Sequence, residues 1–309
     1  MTTNELRKLN PNFVPCGKPV KKHLYSLIYY IFGIFLSILF ILPLMYMIAA
    51  STKSETAIGE SSGTLLMFIP DFTHLDKFFD NYAIVFGEHD LWKYALNSLL
   101  YAAIIIVLNV IINGLAGYVL AKFKMPGKGF FNFMILFLII VPVETSIIPL
   151  YAICKRMLGL SGYWTILGVI LPASISIFNI FLFMQFFSSI PKEYEEAMHV
   201  DGASRLRVFF NLILPMSKPI VVTTMVFTFI GVWNDYVWPT MILPQSGSLS
   251  DWPLYPIQAA VFSIKQAGGG LDTGETMAVL FTTTLPIFIV YAIAQKYIVK
   301  GFGTAGLKM

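Results

Sequence analysis

Six stretches of the chain are almost wholly apolar, and most polar residues fall between them. They lie near Leu24–Ala50, Tyr94–Lys122, Phe130–Ile153, Tyr163–Phe187, Pro219–Leu243 and Thr276–Val299. A helix needs about 20 residues to cross a hydrocarbon core of about 30 Å, and each stretch reaches that length. The pattern predicts an all-α membrane protein of about six transmembrane helices. The first stretch follows Lys18, Lys21 and Lys22 and ends in "IAAS", which could pass for a cleavage site. At roughly 25 residues it exceeds the 7–15 of a signal-peptide core, so a retained spanning helix is expected. Glycines and prolines inside the stretches, such as Gly114, Gly117, Pro142 and Pro172, are tolerated where neighbouring helices or a cavity satisfy the freed backbone.

The basic residues orient the spans. With the N-terminus inside, 15 lysines and arginines fall on inner segments and 6 on outer ones. That bias places both termini in the cytoplasm. Residues 1–23 then form a cytoplasmic N-terminal segment, and 24–309 one transmembrane domain. Two outer loops are long, roughly Ser51–Asp90 and Pro244–Glu275. Loops of that length are uncommon unless they bind something or are disordered. In the latter, Trp252, Pro253 and Tyr255 make a stiff aromatic lip and Gly268–Gly270 supply slack.

Composition agrees: the 309 residues are 57% hydrophobic and 12% charged, with a mean hydropathy of +0.73. A soluble domain is about 25% charged. The net charge of +4 is modest, and no basic run with interleaved aromatics points to nucleic acid. Cys16 and Cys154 offer no disulfide framework, and the four histidines form no ligand pair, so no metal site is expected. No nucleophile constellation suggests an enzyme.

One segment breaks the apolar pattern: "EEAMHVDGASRLRVFFNLILP", residues 195–215, inside the large inner loop 188–218. Pro191 and the acids Glu193, Glu195 and Glu196 suit the first turn of a helix. Asp201-Gly202 reads as its stop. A second short helix from Ser204 would bury Leu206, Phe209, Phe210 and Ile213, which share one face, until Pro215 ends it. Spacing alone leaves two readings, an interfacial helix that caps the bundle and a ledge for a cytosolic partner.

Ionisable groups within spans carry functional hypotheses. Glu144, in "VPVETSIIPLY", and Asp235, in "WNDYVWP", lie at similar depth near the outer third of the membrane. They could wall a translocation path together with Trp233, Asn234 and Tyr236, whose amide and rings suit a sugar. The alternative is a helix end at the outer interface, where Trp and Tyr are common.

Glu196-Ala197, then Gly202, then Leu212-x-Leu214-Pro215 resembles the "EAA" loop of ATP-binding cassette importer permeases. Met198 stands for its second alanine and Leu212 for its isoleucine. "FFSSIPKEYEEAMHVDGAS" is similar to the carbohydrate-uptake, maltose-type branch, as are residues 97–127, "GVWNDYVWP" (231–239) and the tail 295–309. The resemblance implies a permease subunit of a binding-protein-dependent sugar importer in the cytoplasmic membrane, working by alternating access. Its coupling helix, between the fourth and fifth spans, would meet an ATPase through Glu196, Ala197, Met198, Asp201, Gly202, Arg205, Leu214 and Pro215. Partners would be a second permease, two cytosolic ATPases, and an extracytoplasmic binding protein touching Trp252 and Tyr255. No G-x-x-x-x-G-K-[ST] occurs, so ATP and magnesium belong to the partner ATPase and this chain needs no cofactor. The rival class is an ion-coupled secondary carrier using Glu144 and Asp235.

Overall fold

The computed structural model describes residues 20–73, 78–244, 248–249, 252–266 and 271–305. Cys16, Gly268–Gly270, the last four residues and all but the end of the expected N-terminal segment lie outside them. The architecture is helical. Among the described residues the only extended pairing is a two-residue antiparallel ladder, β1 (Ser248–Leu249) with β2 (Trp252–Pro253).

The first apolar stretch is α1 (Val20–Ala50). Its spanning part, Tyr25–Ala50, carries no charged residue and stands largely exposed. The first outer loop then folds into α2 (Glu55–Ser61) and α3 (Asp80–Gly87). The second stretch is α4 (Leu91–Lys122), a straight 32-residue helix at the centre of the molecule.

The third stretch is not a straight span. α5 (Lys128–Ile140) stops at Val141-Pro142, and the chain turns by 98° into Val143–Met157, which contains α6 (Ile147–Ala152). Pro142 has no N–H to continue the ladder, and it drives Val141 out of the α region. Val141 is accordingly extended, at φ −72° and ψ 123°.

The fourth stretch is broken but not sharply bent. α7 (Thr165–Ala173) ends at Ser174, and α8 (Ile177–Ser188) starts after an extended Ser176. Buried Asn113 on α4 stitches the gap. Its amide nitrogen donates to the Ser174 carbonyl at 3.1 Å, and its oxygen accepts the Ser176 N–H at 3.1 Å. A break at membrane depth survives only when such partners satisfy it.

The inner loop holds α9 (Glu193–Val200) and α10 (Arg205–Val208). The fifth stretch is α11 (Lys218–Asn234), which leaves the loop at 85° and stops at Asp235; a short α12 (Val237–Ile242) completes it. The outer loop that follows contains α13 (Ile257–Gln266), and the last stretch is α14 (Thr273–Ala305). Among the described residues four helices are thus long and apolar enough to cross a membrane, or up to six when each bent pair counts as one span.

α4 is the hub, packing on α8 and α11; α11 packs on α14, and α14 on α1. The α4–α8 approach is very close. A Cβ on Gly117 would stand 2.6 Å from the Phe183 Cβ and 2.9 Å from the Met184 nitrogen. Small residues of this kind let helix backbones meet in a membrane.

The outer loop after α12 is pinned to the bundle rather than left as a free lip. Asn97 donates to the carbonyls of Pro253 (2.6 Å) and Tyr255 (3.1 Å), and the Tyr101 hydroxyl donates to Leu254 at 2.8 Å. Tyr255, expected at the rim, is 6% exposed in this conformation and packs in the cluster that holds Trp238 and Ile242. A ring so placed is not on offer to a binding protein in this conformation. The side chain of Trp252 lies outside the described residues.

Candidate functional site

Two places concentrate polar chemistry, one at the inner end of the bundle and one in an open cleft between its helices. At the inner end, α9 and α10 form the bent segment that the glycine and caps predict. Gly202 has φ +77°, a left-handed conformation that a side chain would strain. The Ala203 N–H closes the turn on the Met198 carbonyl at 3.0 Å, and the Ser204 hydroxyl caps α10 by accepting the Arg207 N–H.

The buried face of this segment differs from the one expected. Val208, Phe209 and Ile213 are buried against Tyr118, Phe183 and Phe187, whereas Leu206 and Phe210 point outward. The cause is local: residues Phe209–Ile213 form a π-turn, which rotates the helix face relative to ideal 3.6-residue spacing. Pro215 follows directly, and the helix runs only to Met216.

One acid here was missed as a structural group. Glu195 is buried; its Oε1 lies 3.0 Å from Lys122 Nζ, and its Oε2 accepts the Tyr118 hydroxyl at 2.9 Å. Lys122, whose side chain is 5% exposed, also donates to the Ile190 carbonyl at 2.5 Å. This charge cluster ties α9 to the inner end of α4. Glu196, by contrast, is exposed beside a cleft of about 160 Å³ that Lys192, His199 and Arg205 share. The Arg205 guanidinium covers the Phe123 ring at 4.3 Å. Ala197, Asp201, Gly202 and Pro215 are exposed as well, while Met198 and Leu214 are half-buried against the core. A charged, mostly exposed ledge on a rigid apolar base is the result.

The second place is a cavity of about 320 Å³ between α4, α8 and α11. Asn109 supplies one wall, Asn179 and Ser176 another, and Thr228, Gly231 and Asp235 a third. Asn179 donates to Asn109 Oδ1 at 2.9 Å and to Thr228 Oγ1 at 3.1 Å. Asp235 sits at the break between α11 and α12, where its Oδ1 accepts the Trp238 N–H at 3.2 Å.

The other residues proposed from sequence for a substrate path do not gather here. Glu144 is exposed in the bend of the third stretch, away from the cavity lining, so the two acids do not converge. Trp233 is 1% exposed, stacked on Phe229 and donating to the Thr283 carbonyl at 2.9 Å. It is a core ring with no face open to a sugar, because helix phase turns it toward α14. Asn234 is exposed and bonds the Ile230 carbonyl; Tyr236 is exposed and packs on Phe262. Asn109, Asn113 and Asn179 were the groups overlooked. Their signal was polar residues within spans, two of them four apart on one helix.

Residues 113–303, more than half of the chain, match the family described as binding-protein-dependent transport system inner membrane component. A probable ABC transporter permease protein of Bacillus subtilis is 32% identical, covering 86% of this chain and 83% of its own. An sn-glycerol-3-phosphate transport system permease protein of Pectobacterium atrosepticum is 34% identical over 67% of this chain and 70% of its own. An arabinooligosaccharides transport system permease protein of Halalkalibacterium halodurans is 28% identical over 89% and 93%. Among solved structures, a chain of a bacterial ABC transporter involved in alginate import superposes with a TM-score of 0.73. It has 23% identity, over 92% of this chain and all of that one.

Proposed function

The chain belongs to the binding-protein-dependent transport system inner membrane components, multi-pass proteins of the cytoplasmic membrane, and from that premise we propose that it is one permease subunit of an ATP-driven sugar importer. Its substrate is a sugar or oligosaccharide handed over by an extracytoplasmic binding protein. A second permease completes the pathway, and two cytosolic ATPase subunits drive it, binding the ATP and magnesium themselves. Both termini face the cytoplasm, as the distribution of basic residues favours.

The observation that carries the reading is the inner ledge. It has no task in a self-contained carrier. α9 offers Glu196 and Ala197, the turn offers Asp201 and Gly202, and α10 offers Arg205, with exposed Pro215 beyond it and Met198 and Leu214 at the base. The base is the same cluster that holds Phe183 and Phe187 of α8. A push on the ledge is therefore delivered to the fourth span, whose broken helix lines the cavity. Closing of the ATPases would move the ledge and open the cavity outward, and hydrolysis would reset it.

Gly202→Asp tests the docking role. The substitution strains a positive-φ position, yet a Cβ there meets no neighbour within 4 Å. The variant is expected to reach the membrane and pair with the second permease while losing the ATPase on affinity purification. Retention of the ATPase together with wild-type uptake would remove the ledge from the mechanism.

A further inference from the structure

The cavity between α4, α8 and α11 is built more like a binding site than like a packing defect. Asn109 is 1% exposed, and its amide nitrogen has no hydrogen-bond partner among the described residues. A buried donor left unpaired costs about 1–3 kcal/mol, so a native fold keeps one where something else meets it. Gly231, inside α11, lines this space from an exposed position, and a Cβ on it would meet nothing within 4 Å, so the space is open to a larger side chain there. A second sign is that two broken helices meet here, α7–α8 at Ser176 and α11–α12 at Asp235. Discontinuous helices are a recurrent way to present polar groups to cargo.

Resting on the importer reading, we propose that this cavity is a sugar-binding station on the path and that it selects neutral rings over acidic ones. The amides of Asn109 and Asn179 and the Thr228 hydroxyl meet ring hydroxyls. The Phe178 and Phe227 rings, 5.9 Å apart, cover the apolar C–H face. Asp235 accepts hydroxyls and repels carboxylate or phosphate, and among the described residues no lysine or arginine lines the cavity to offset it. The N-terminus of α8 also lies beside the cavity, but the Ser176 N–H is held by Asn113 and the Asn179 N–H by the Ser176 hydroxyl. At about 320 Å³ the space is at the low end for small-molecule sites, which suits one ring of a chain at a time.

The test uses the whole transporter with its own partner permease, ATPases and binding protein in ATP-loaded vesicles. Uptake is measured for labelled neutral trisaccharides (arabinotriose, xylotriose, maltotriose), for trigalacturonate, and for sn-glycerol-3-phosphate. A neutral probe is expected to enter at least about tenfold faster than either anion. Gly231→Leu, which fills the space, should cut that uptake at least about tenfold with the ATPases still co-purifying. Asn109→Leu should cut it by roughly five- to 150-fold. Asp235→Asn keeps the oxygen that caps α12 but removes the charge. It should narrow the neutral-to-anion ratio by about tenfold with the same binding protein present, which isolates the permease's share of selectivity. An anion as the preferred probe overturns the inference and leaves the importer reading standing. So does wild-type uptake by Gly231→Leu and Asn109→Leu, or failure of Gly231→Leu to assemble. If no probe of either class enters, the sugar reading itself falls and takes this inference with it.

Discussion

Replacing Gly117 with valine is expected to leave no folded permease to purify. The α4–α8 contact is very close, and Gly117 is where the two backbones meet. Even the single carbon of alanine would stand 2.6 Å from the Phe183 Cβ, 2.9 Å from the Met184 nitrogen and 3.2 Å from the Ile180 carbonyl oxygen. None of these atoms is the end of a flexible side chain, so only separation of the helices can relieve the clash. Overpacking of this kind costs about 1–3 kcal/mol for small insertions. Alanine should therefore lower the melting midpoint of the detergent-solubilised complex, and valine should abolish its recovery. The separation would also pull Asn113 from the gap at Ser174–Ser176 and Asn109 from Asn179. Recovery of Gly117→Val with a wild-type midpoint would mean that the helices do not approach this closely.

The second large effect is at Glu195. Glu195→Ala strands the Lys122 ammonium in the inner end of the bundle with only the Ile190 carbonyl for company. Removing one partner of a buried pair costs about 3–5 kcal/mol, most of it the penalty of the charge left behind. Glu195→Ala together with Lys122→Met should recover much of the loss, since no charge is then stranded. The neighbouring Glu196→Ala, on the exposed ledge, should leave stability within about 0.5 kcal/mol while weakening ATPase attachment. Thermal unfolding and co-purification, measured on these three variants beside the wild type, separate the two glutamates. Equal loss of stability from Glu195→Ala and Glu196→Ala would contradict the assignment.

That adjacent pair illustrates what could be read from sequence. The acids at the start of α9, the stop at Gly202 and the second helix were legible, because caps, charges and glycine act locally. Which acid faces inward was not, since that depends on how α9 meets α4, a tertiary fact. The same limit explains Trp233. Its neighbours Asn234 and Tyr236 are exposed, but one step of helix phase buries Trp233 against Phe229. The expected apolar face of residues 206–213 failed for a different reason, the π-turn before Pro215. The bend at Pro142 could not be told from the sequence alone, because Pro43 and Pro286 sit inside spanning helices that run on unbroken. The cavity could be read only in part. Asp235 was singled out as an ionisable group in a span. Asn109 and Asn113 were passed over, although amides four residues apart mark one polar stripe on a helix whose other faces are apolar.

The central claim is that ATP on partner subunits, not an ion gradient, moves sugar through this chain. Proteoliposomes holding the two permeases and two ATPases, given binding protein outside and labelled neutral trisaccharide, test it most directly. Import is predicted only when ATP and magnesium are sealed inside and binding protein is present outside. Uptake driven by a proton or sodium gradient, without ATP, would contradict the account.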